Sequence, residues 1–462
     1  MQQKLMQTAA LVCLPLLLAS MPAAAKVGAE EAAKLGVSLT HLGANPSAND
    51  DGSIPAFNGS MLGLPEGLSY EGAKTPYPDP YADDPILLTI TAANRQQHAQ
   101  FLSPGLEAMF ATYPDTFEVQ VYPTHRDGRY SDQFREKVKH NALNAELSNG
   151  EDGIRGFTGA VAFPVPTTGA EVIWNSRTSG PNYTLAGTYS DIAVFSNGSR
   201  SERRSTIMSE YPYANPDNTV GAGEAELGIW AAYVMTEVHL PKRDKGTITS
   251  IFEPYDYVTH AREAWRYIPG SRRVRRAPTV GYDTPDGPGG FITVDDTLGF
   301  NGAMDRFTWT LVGKQELYVP FHTYKFDESE LDYDTLLTPY HANPDYLRYE
   351  KRRMWVVEAN LREGSRHIYA KRRFYIDEDS WNIVMTENYD GRGELWKVVL
   401  INNIYEYNVQ GYVNRAMMFH ELRAGGYITI RLVNDSKPLD YTVEPQGPAY
   451  YSPTNVRKLG RR

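Results

Sequence analysis

Three runs of arginine and lysine have the clearest chemical potential in this sequence, because they stand on predicted strands in a chain that is acidic overall. The guanidinium group of arginine presents a fork of donors that matches carboxylates and phosphates. The positive charge of the runs therefore indicates binding to an anionic group. The runs are Arg272-Arg273-Val274-Arg275-Arg276, Lys351-Arg352-Arg353 and Lys371-Arg372-Arg373.

Two interpretations of these runs stay open. In the first, the arginines pair with acidic neighbours across strands, such as Glu350, Glu358, Asp377 and Asp379, which stabilises a sheet modestly. In the second, they form a surface that docks an acidic partner or an anionic head group. Strand alternation separates the first run, since it sends Arg273 and Arg275 to one face and Arg272 and Arg276 to the other. The docking or head-group candidates are Arg272, Arg273, Arg275, Arg276, Arg372 and Arg373.

Patterns typical of enzymes and metal sites are absent from the sequence. The ten histidines are scattered without an H-E-x-x-H pair, and there is no G-x-S-x-G motif. The pair Gly289-Gly290 lacks the lysine of a phosphate loop, and residues 377–379 lack the glycine and the bidentate glutamate of a calcium loop. We therefore expect no catalytic residue, no metal and no cofactor.

Large aromatic residues on predicted strands are the second notable feature. Most should be ordinary core. A curved sheet that fails to close, however, leaves a concave apolar face that suits an acyl chain or a sterol-like molecule if part of it stays empty. The aromatic set is Trp174, Trp230, Trp265, Tyr267, Phe300, Trp309, Trp355, Trp381 and Trp396, and the ligand-binding candidates within it are Trp265, Tyr267, Phe300, Trp309 and Trp355.

The first 25 residues have the pattern of a secretory signal peptide. Lys4 precedes an apolar run at residues 9–18, and Ala23-Ala24-Ala25 forms a small-residue cleavage site. The run is too short for a membrane-spanning helix. The only cysteine, Cys13, lies inside the run and not at its end, so a lipid anchor is not expected. The sequence therefore predicts a soluble protein of the periplasm that has no cysteine once the signal peptide is removed.

Composition and charge narrow the class of protein further. The net charge of −10 argues against nucleic acid as a partner. An aromatic share of 12% together with 30 prolines and 38 glycines favours strands separated by many turns. We expect a β-dominated α+β protein.

The order of the elements predicts an arm followed by one domain. Residues 26–90 begin with a short helix at 29–35 and are otherwise turn-rich, which indicates an extended arm. Helices are predicted mainly within 91–147, at 91–102, 104–112 and 131–147. Period-two alternation follows from residue 171 onward, with hairpin turns at 197–198, 269–270, 364, 390–393 and 425–426. Residues 91–462 are thus predicted to form a single β-rich domain.

Several long motifs resemble the bacterial family called domain of unknown function 1329. They include Thr40-His41-Leu42-Gly43-Ala44, Tyr113-Pro114-Asp115-Thr116-Phe117, Ala264-Trp265-Arg266-Tyr267-Ile268-Pro269-Gly270, Gly299-Phe300-Asn301-Gly302 and Arg366-His367-Ile368-Tyr369-Ala370-Lys371-Arg372-Arg373. That family is similar to the periplasmic lipoprotein carriers of the LolA type. The resemblance implies a strongly curved antiparallel sheet, an unclosed barrel, with N-terminal helices covering or plugging the concave face. It names no catalytic residues.

The resemblance also implies partners, since members of the family accompany exporters of the resistance-nodulation-division superfamily and an outer-membrane companion family, domain of unknown function 1302. The leading hypothesis is a periplasmic carrier of a lipid or other hydrophobic compound that works with such an exporter. The alternative is a non-transporting adaptor subunit of an export complex, with a filled sheet interior. An envelope hydrolase is a third, less favoured hypothesis.

Overall fold

The computed structural model describes residues 27–277 and 282–461. The predicted signal peptide, residues 1–25, lies outside this part of the chain. Among the described residues, no helix combines the length and apolarity that crossing a bilayer requires.

The helices of the described chain are short and dispersed. The α-helices are α1 (Ala29–Ala32), α2 (Pro104–Thr112), α3 (Asp132–Asn144), α4 (Gly169–Thr178), α5 (Glu224–Leu227), α6 (Tyr333–Leu336), α7 (Pro448–Tyr451) and α8 (Pro453–Leu459). Short 3₁₀ segments are found at Gly72–Lys74, Arg95–Phe101, Asn149–Glu151, Pro212–Ala214, Pro288–Gly290, Tyr324–Asp327 and Pro344–Tyr346.

Strands dominate the fold. They are β1 (Leu88–Ile90), β2 (Val119–Val121), β3 (Glu146–Ser148), β4 (Gly153–Arg155), β5 (Thr184–Val194), β6 (Arg200–Glu210), β7 (Trp230–Leu240), β8 (Ile248–Pro254), β9 (Glu263–Ile268), β10 (Arg273–Arg276), β11 (Pro285–Asp286), β12 (Ile292–Thr293), β13 (Phe307–Pro320), β14 (Tyr349–Leu361), β15 (Lys371–Asp377), β16 (Ile383–Tyr389), β17 (Leu395–Glu406), β18 (Gly411–Glu421) and β19 (Gly426–Leu432).

Fifteen of these strands form one open sheet built from two antiparallel meanders. The first meander runs from β5 to β10 and the second from β13 to β19, and they are joined by antiparallel pairing of β19 with β5, in which Tyr427 lies opposite Val194. The hairpin of β1 and β2 attaches through a parallel bridge from Val121 to Tyr349. The strand order of the described chain ends at β10 without closing a barrel.

The local sequence explains most of these elements. Helix α2 begins with Pro104 after Ser103, whose hydroxyl accepts a hydrogen bond from the Leu106 amide at 3.1 Å. The predicted hairpin turns at 197–198, 269–270, 390–393 and 425–426 all connect antiparallel strands. The fold is therefore the β-dominated α+β class that the sequence predicts.

Two elements differ from the prediction. Residues 91–102 form a 3₁₀ turn at Arg95–Phe101, and Thr91 does not cap it, because the Asn94 side chain accepts from the Thr91 amide. Helix α4 replaces the expected first strand, so Trp174 lies on a helix. The reason is a capping box, in which Thr168 and Glu171 satisfy each other's backbone amides.

The two halves of the sheet are covered differently. Strands β16 to β19 are buried on both faces almost throughout. Strands β6 to β8 mix buried and half-exposed positions, whereas β9 and β10 are mostly half-exposed or exposed. Helices α7 and α8 pack on one face of this half over Tyr233, Phe252 and Tyr267. The expected concave wall is thus occupied by side chains along the second meander.

Candidate functional site

A cavity of about 750 Å³ lies between the β3–β4 hairpin, the start of α4, the end of α5 and the loop after β8. Its volume falls within the range typical of small-molecule sites. Neither half of the main sheet forms its floor, since the lining comes from short elements packed at the end of the first meander.

Apolar side chains and glycine backbone form much of the cavity wall. Gly156 illustrates how closely the elements pack, because a Cβ atom there would lie 2.1 Å from the Asn144 carbonyl oxygen. The apolar lining consists of Leu147, Ile154, Phe157, Leu227, Ile229 and Tyr255.

One buried carboxylate, that of Glu171, also lines the cavity. The residue is 2% exposed, and burial raises the pKa of its carboxyl group. Its Oε2 atom accepts from the amides of Thr167 and Thr168, which makes the capping box of α4. Its Oε1 atom has no hydrogen-bond partner among the described residues. Glu171 therefore leaves one acceptor for a donor group of a ligand.

Strained backbone shapes the rim of the cavity. Asn149, Gly150 and Glu151 have φ values of 50°, 69° and 84°, and left-handed conformations are costly for the two residues that carry a Cβ. The Trp174 indole donates to the Glu151 carbonyl at 2.9 Å, and the Asn149 side chain donates to Asp256. These contacts hold the rim in a shape that the local sequence alone disfavours.

Asp256 fixes the opposite side of the rim. Its Oδ1 atom accepts from the amides of Val258 and Thr259, both at 3.0 Å. Burial alone would raise the pKa of Asp256, but the hydrogen bonds from Thr259, Val258 and Asn149 outweigh burial and lower it. The rim therefore keeps a negative charge beside the apolar walls.

The arrangement that most resembles catalytic machinery lies elsewhere and is buried. His322 Nδ1 is 2.8 Å from Glu350 Oε1, and its Nε2 is 3.2 Å from the Tyr412 hydroxyl. Glu350 also accepts from Arg348 and Arg352. Burial lowers the pKa of His322, and both His322 and Glu350 are at most 1% exposed. These residues form a buried hydrogen-bond network in the interior, and none of them lines the cavity.

None of the five predicted ligand-binding aromatic residues lines the cavity. Phe300 packs edge-on against Trp309 with ring centroids 4.9 Å apart. Trp355 stacks on Trp381 at 6.0 Å. Trp265 and Tyr267 belong to the separate cluster beneath α7 and α8. Phe300 also lies in a loop and not on a strand. The structure therefore divides the five among three packed groups.

The predicted docking arginines fall into two sets. Arg372 is fully buried, with ion pairs to Asp295 at 3.0 Å and Asp296 at 2.9 Å, so the expectation of a docking role is corrected for this residue. Arg373 is 3.5 Å from Glu358 across the β14–β15 pair. By contrast, the four arginines of the first run are exposed; they are Arg272, Arg273, Arg275 and Arg276.

The acidic residues 377–379 hold the N-terminal arm. Arg126 donates to both Asp379 oxygens at 2.8 Å and to the Asn45 carbonyl at 2.7 Å. Lys314 is 2.6 Å from Glu378. Arg and Lys side chains thus occupy the positions a cation would need. Within the described residues, no group of His, Cys, Asp and Glu is arranged as a metal site.

Fold and cavity together define a class: a β-rich protein with an open antiparallel sheet and an apolar-walled cavity beside it. The chain belongs to the family described as protein of unknown function (DUF1329), which matches residues 89–457. It is 37% identical over 449 residues to the uncharacterized protein PA3922 of Pseudomonas aeruginosa, covering 95% of each chain.

Two solved structures are similar to the chain at low identity. One is a DUF1329 family protein from Desulfovibrio piger, with 13% identity, a TM-score of 0.41 and coverage of 60% of this chain and 92% of the other. The second is a LolA superfamily protein from Nitrosomonas europaea, with 10% identity, a TM-score of 0.37 and coverage of 62% and 98%.

No sequence pattern marks the cavity residues, because they come from four separated segments with no shared motif. The capping pattern Thr168-x-x-Glu171 was the one local feature that marks the site. A search for such a box would have placed α4, but not the cavity in front of it.

Proposed function

We propose that this protein binds a hydrophobic small molecule or lipid in the cavity in front of α4 and carries it without chemical change. The observation that supports this is the cavity itself, with a volume of about 750 Å³ and six apolar side chains on its wall. Burial of apolar surface contributes about 25 cal/mol per Å², so such a wall can bind a ligand without any catalytic group.

The polar groups of the site favour a ligand with a neutral hydrogen-bond donor. Glu171 Oε1 is an open acceptor, and Asp256 adds negative charge at the rim. A carboxylate head group would be repelled by both. A long-chain alcohol or sterol-like molecule, whose hydroxyl group donates to Glu171, fits the arrangement better than a fatty acid.

The wider setting of the proposal is the periplasm, following the signal peptide predicted at residues 1–25. There the protein would pass its ligand to or from an exporter of the resistance-nodulation-division superfamily, with an outer-membrane companion protein. The family resemblance of the sequence motifs is the basis for naming these partners.

The experiment combines native mass spectrometry with a fluorescent long-chain alcohol probe. We expect the purified protein to retain an extractable hydrophobic molecule and to bind the probe. The variant Ile229→Trp, which fills the cavity, should weaken probe binding by about tenfold or more, since two displaced methylenes remove about 1.6 kcal/mol. The control Ile86→Trp, at a 49% exposed position outside the cavity, should bind as the wild type does.

Two results would contradict the proposal: no retained molecule together with no probe binding, or equal binding by both tryptophan variants and the wild type. Preference for the matching fatty acid would contradict only the role of Glu171. A second candidate, a non-transporting adaptor, is favoured by the filled interior of the second meander. An adaptor of this kind would bind the exporter in a pull-down, but it would bind neither a retained molecule nor the probe.

A further inference from the structure

Eight exposed cations that form no ion pair with another described residue lie at one corner of the molecule. The β7–β8 turn and the β9–β10 turn touch there, since a Cβ atom on Gly246 would lie 3.3 Å from Pro269 Cγ. The C-terminal end of α8 lies beside them, with Gly460 against the Tyr267 ring. The basic corner consists of Lys242, Lys245, Arg266, Arg272, Arg273, Arg275, Lys458 and Arg461, all of them exposed.

The register of the β9–β10 hairpin places like charges against each other. Arg275 lies directly opposite Arg266, and Arg273 follows on the same face opposite Ile268. Like charges at opposed positions destabilise a sheet. None of these three arginines forms an ion pair with another described residue, whereas neighbouring Arg276 pairs with Glu263 at 2.9 Å. No ion pair among the described residues offsets this repulsion, and only the more distant charge of Asp286 acts on Arg266.

The distribution of the cations fits a broad anionic surface. They lie on both faces of the hairpin, on a second turn and on a helix, so they do not surround a groove in one face. Ile268 adds an apolar side chain that is 42% exposed at the same place. A cluster of flexible cations with an isolated apolar residue is typical of contact with anionic lipid head groups.

We propose that the basic corner docks the protein on the surface of an anionic phospholipid bilayer. The net charge of the chain is −10, so the remaining surface would be repelled and the corner would fix the orientation. The cavity loop follows β8 at its other end. Seven residues at about 3.3 Å each separate the two, so the cavity would lie about 20 Å from the docked corner.

The test is co-sedimentation with phosphatidylcholine vesicles and with vesicles that also contain phosphatidylglycerol. The wild type should sediment only with the anionic vesicles, and added salt should release it. The triple variant R266Q/R273Q/R275Q should lose more than about 100-fold in affinity, since each cation near the surface contributes about fivefold. It should stay folded, with a melting temperature no lower than that of the wild type, because the repulsion is relieved.

The matched control, R366Q/R392Q/K437Q, removes three exposed cations outside the corner and should bind almost as the wild type does. The proposal is overturned if the wild type ignores anionic vesicles, if both triple variants lose affinity equally, or if only an acidic protein is bound. Probe binding in the cavity should be unchanged in R266Q/R273Q/R275Q, so failure of this proposal and failure of the carrier function are distinguishable.

Discussion

Arg372 holds a buried positive charge between the carboxylates of Asp295 and Asp296, and its Nη2 also donates to the Gly299 carbonyl at 2.9 Å. Buried ion pairs of this kind add little over an apolar replacement of the whole group. Removing one partner alone, however, leaves an uncompensated charge in the interior. This guanidinium therefore holds the loop that carries the two aspartates, together with His367 beside Asp295 and the Tyr369 hydroxyl, which donates to Asp296.

Replacing Arg372 with methionine should lower the free energy of unfolding by about 3–5 kcal/mol, because two buried carboxylates lose their counter-charge while the apolar stem is kept. Urea denaturation followed by tryptophan fluorescence measures the change. Arg392→Met, where the side chain is 71% exposed, should change stability by less than about 0.5 kcal/mol. Equal effects at both positions would contradict the assignment.

His420 gives the protein a pH dependence of known sign. Burial, helped by the nearby His341, lowers the pKa of His420 to about 3, and the ring stacks on Tyr427. The unfolded chain takes up this proton below about pH 6.5, whereas the folded protein does so only near pH 3. Stability from this group is therefore lost as the pH falls from 6.5 towards 3.

The expected slope is at most about 1.4 kcal/mol of unfolding free energy per pH unit. The variant His420→Asn keeps a donor for the Val398 carbonyl but cannot titrate. Its unfolding free energy should fall less steeply than that of the wild type between about pH 6.5 and about pH 4. Parallel curves for the two proteins would show that His420 does not supply the slope.

Glu387 on β16 fastens α2 to the sheet. Its Oε1 atom accepts from the Gly105 amide at 2.6 Å and from the Tyr375 hydroxyl at 3.0 Å, and its Oε2 accepts from Tyr389 at 2.8 Å. A carboxylate at the first turn of a helix also interacts favourably with the helix dipole. The charge of Glu387 therefore positions the whole element.

Glu387→Gln should destabilise the protein by about 1–3 kcal/mol, since the hydrogen bonds lose their charge and one acceptor becomes a donor. The hydrogen-exchange rates of the α2 amides should also increase in this variant. The control Glu363→Gln, at an exposed turn, should leave both measurements unchanged. Exchange that rises everywhere equally would indicate a global effect and not undocking of α2.

The elements that the sequence predicted well are those set by local signals. Pro104 after Ser103 defines the start of α2, and turn residues such as Asn197-Gly198 define the hairpins. The apolar pattern does not predict helix α4, because its apolar residues also fit a strand. The capping box of Thr168 and Glu171 is the local signal that favours the helix.

The candidate site was far less predictable, because a cavity depends on how separate segments pack. The predicted aromatic residues fill space in the sheet interior, and Arg372 is satisfied by aspartates from the distant residues 295 and 296. No local sequence pattern predicts an ion-pair partner that is so distant in the chain. The exposure of the arginines on β10 could be predicted from the sequence. In a hairpin at the edge of a sheet, the alternation of side chains leaves few other positions for them.

At the scale of the whole molecule, the pairing of β19 with β5 makes the two meanders one sheet. We predict a single unfolding transition for residues 91–462, with coincident curves from circular dichroism and tryptophan fluorescence. A fragment that ends at residue 277 should not fold, because β5 would keep β6 but lose β19, its partner on the other edge. Two resolved transitions, or a folded fragment, would contradict the prediction of one domain.

That same pairing has a consequence for the newly made chain. Val194 can pair with Tyr427 only after the last strand has been synthesised. Until then, β5 is an edge strand of the first meander whose backbone hydrogen-bonding groups have no partner on that side. Contacts between residues so far apart in sequence form slowly, and open strand edges attract other chains meanwhile. Nascent molecules of this protein should therefore rely on a chaperone until their last strand emerges.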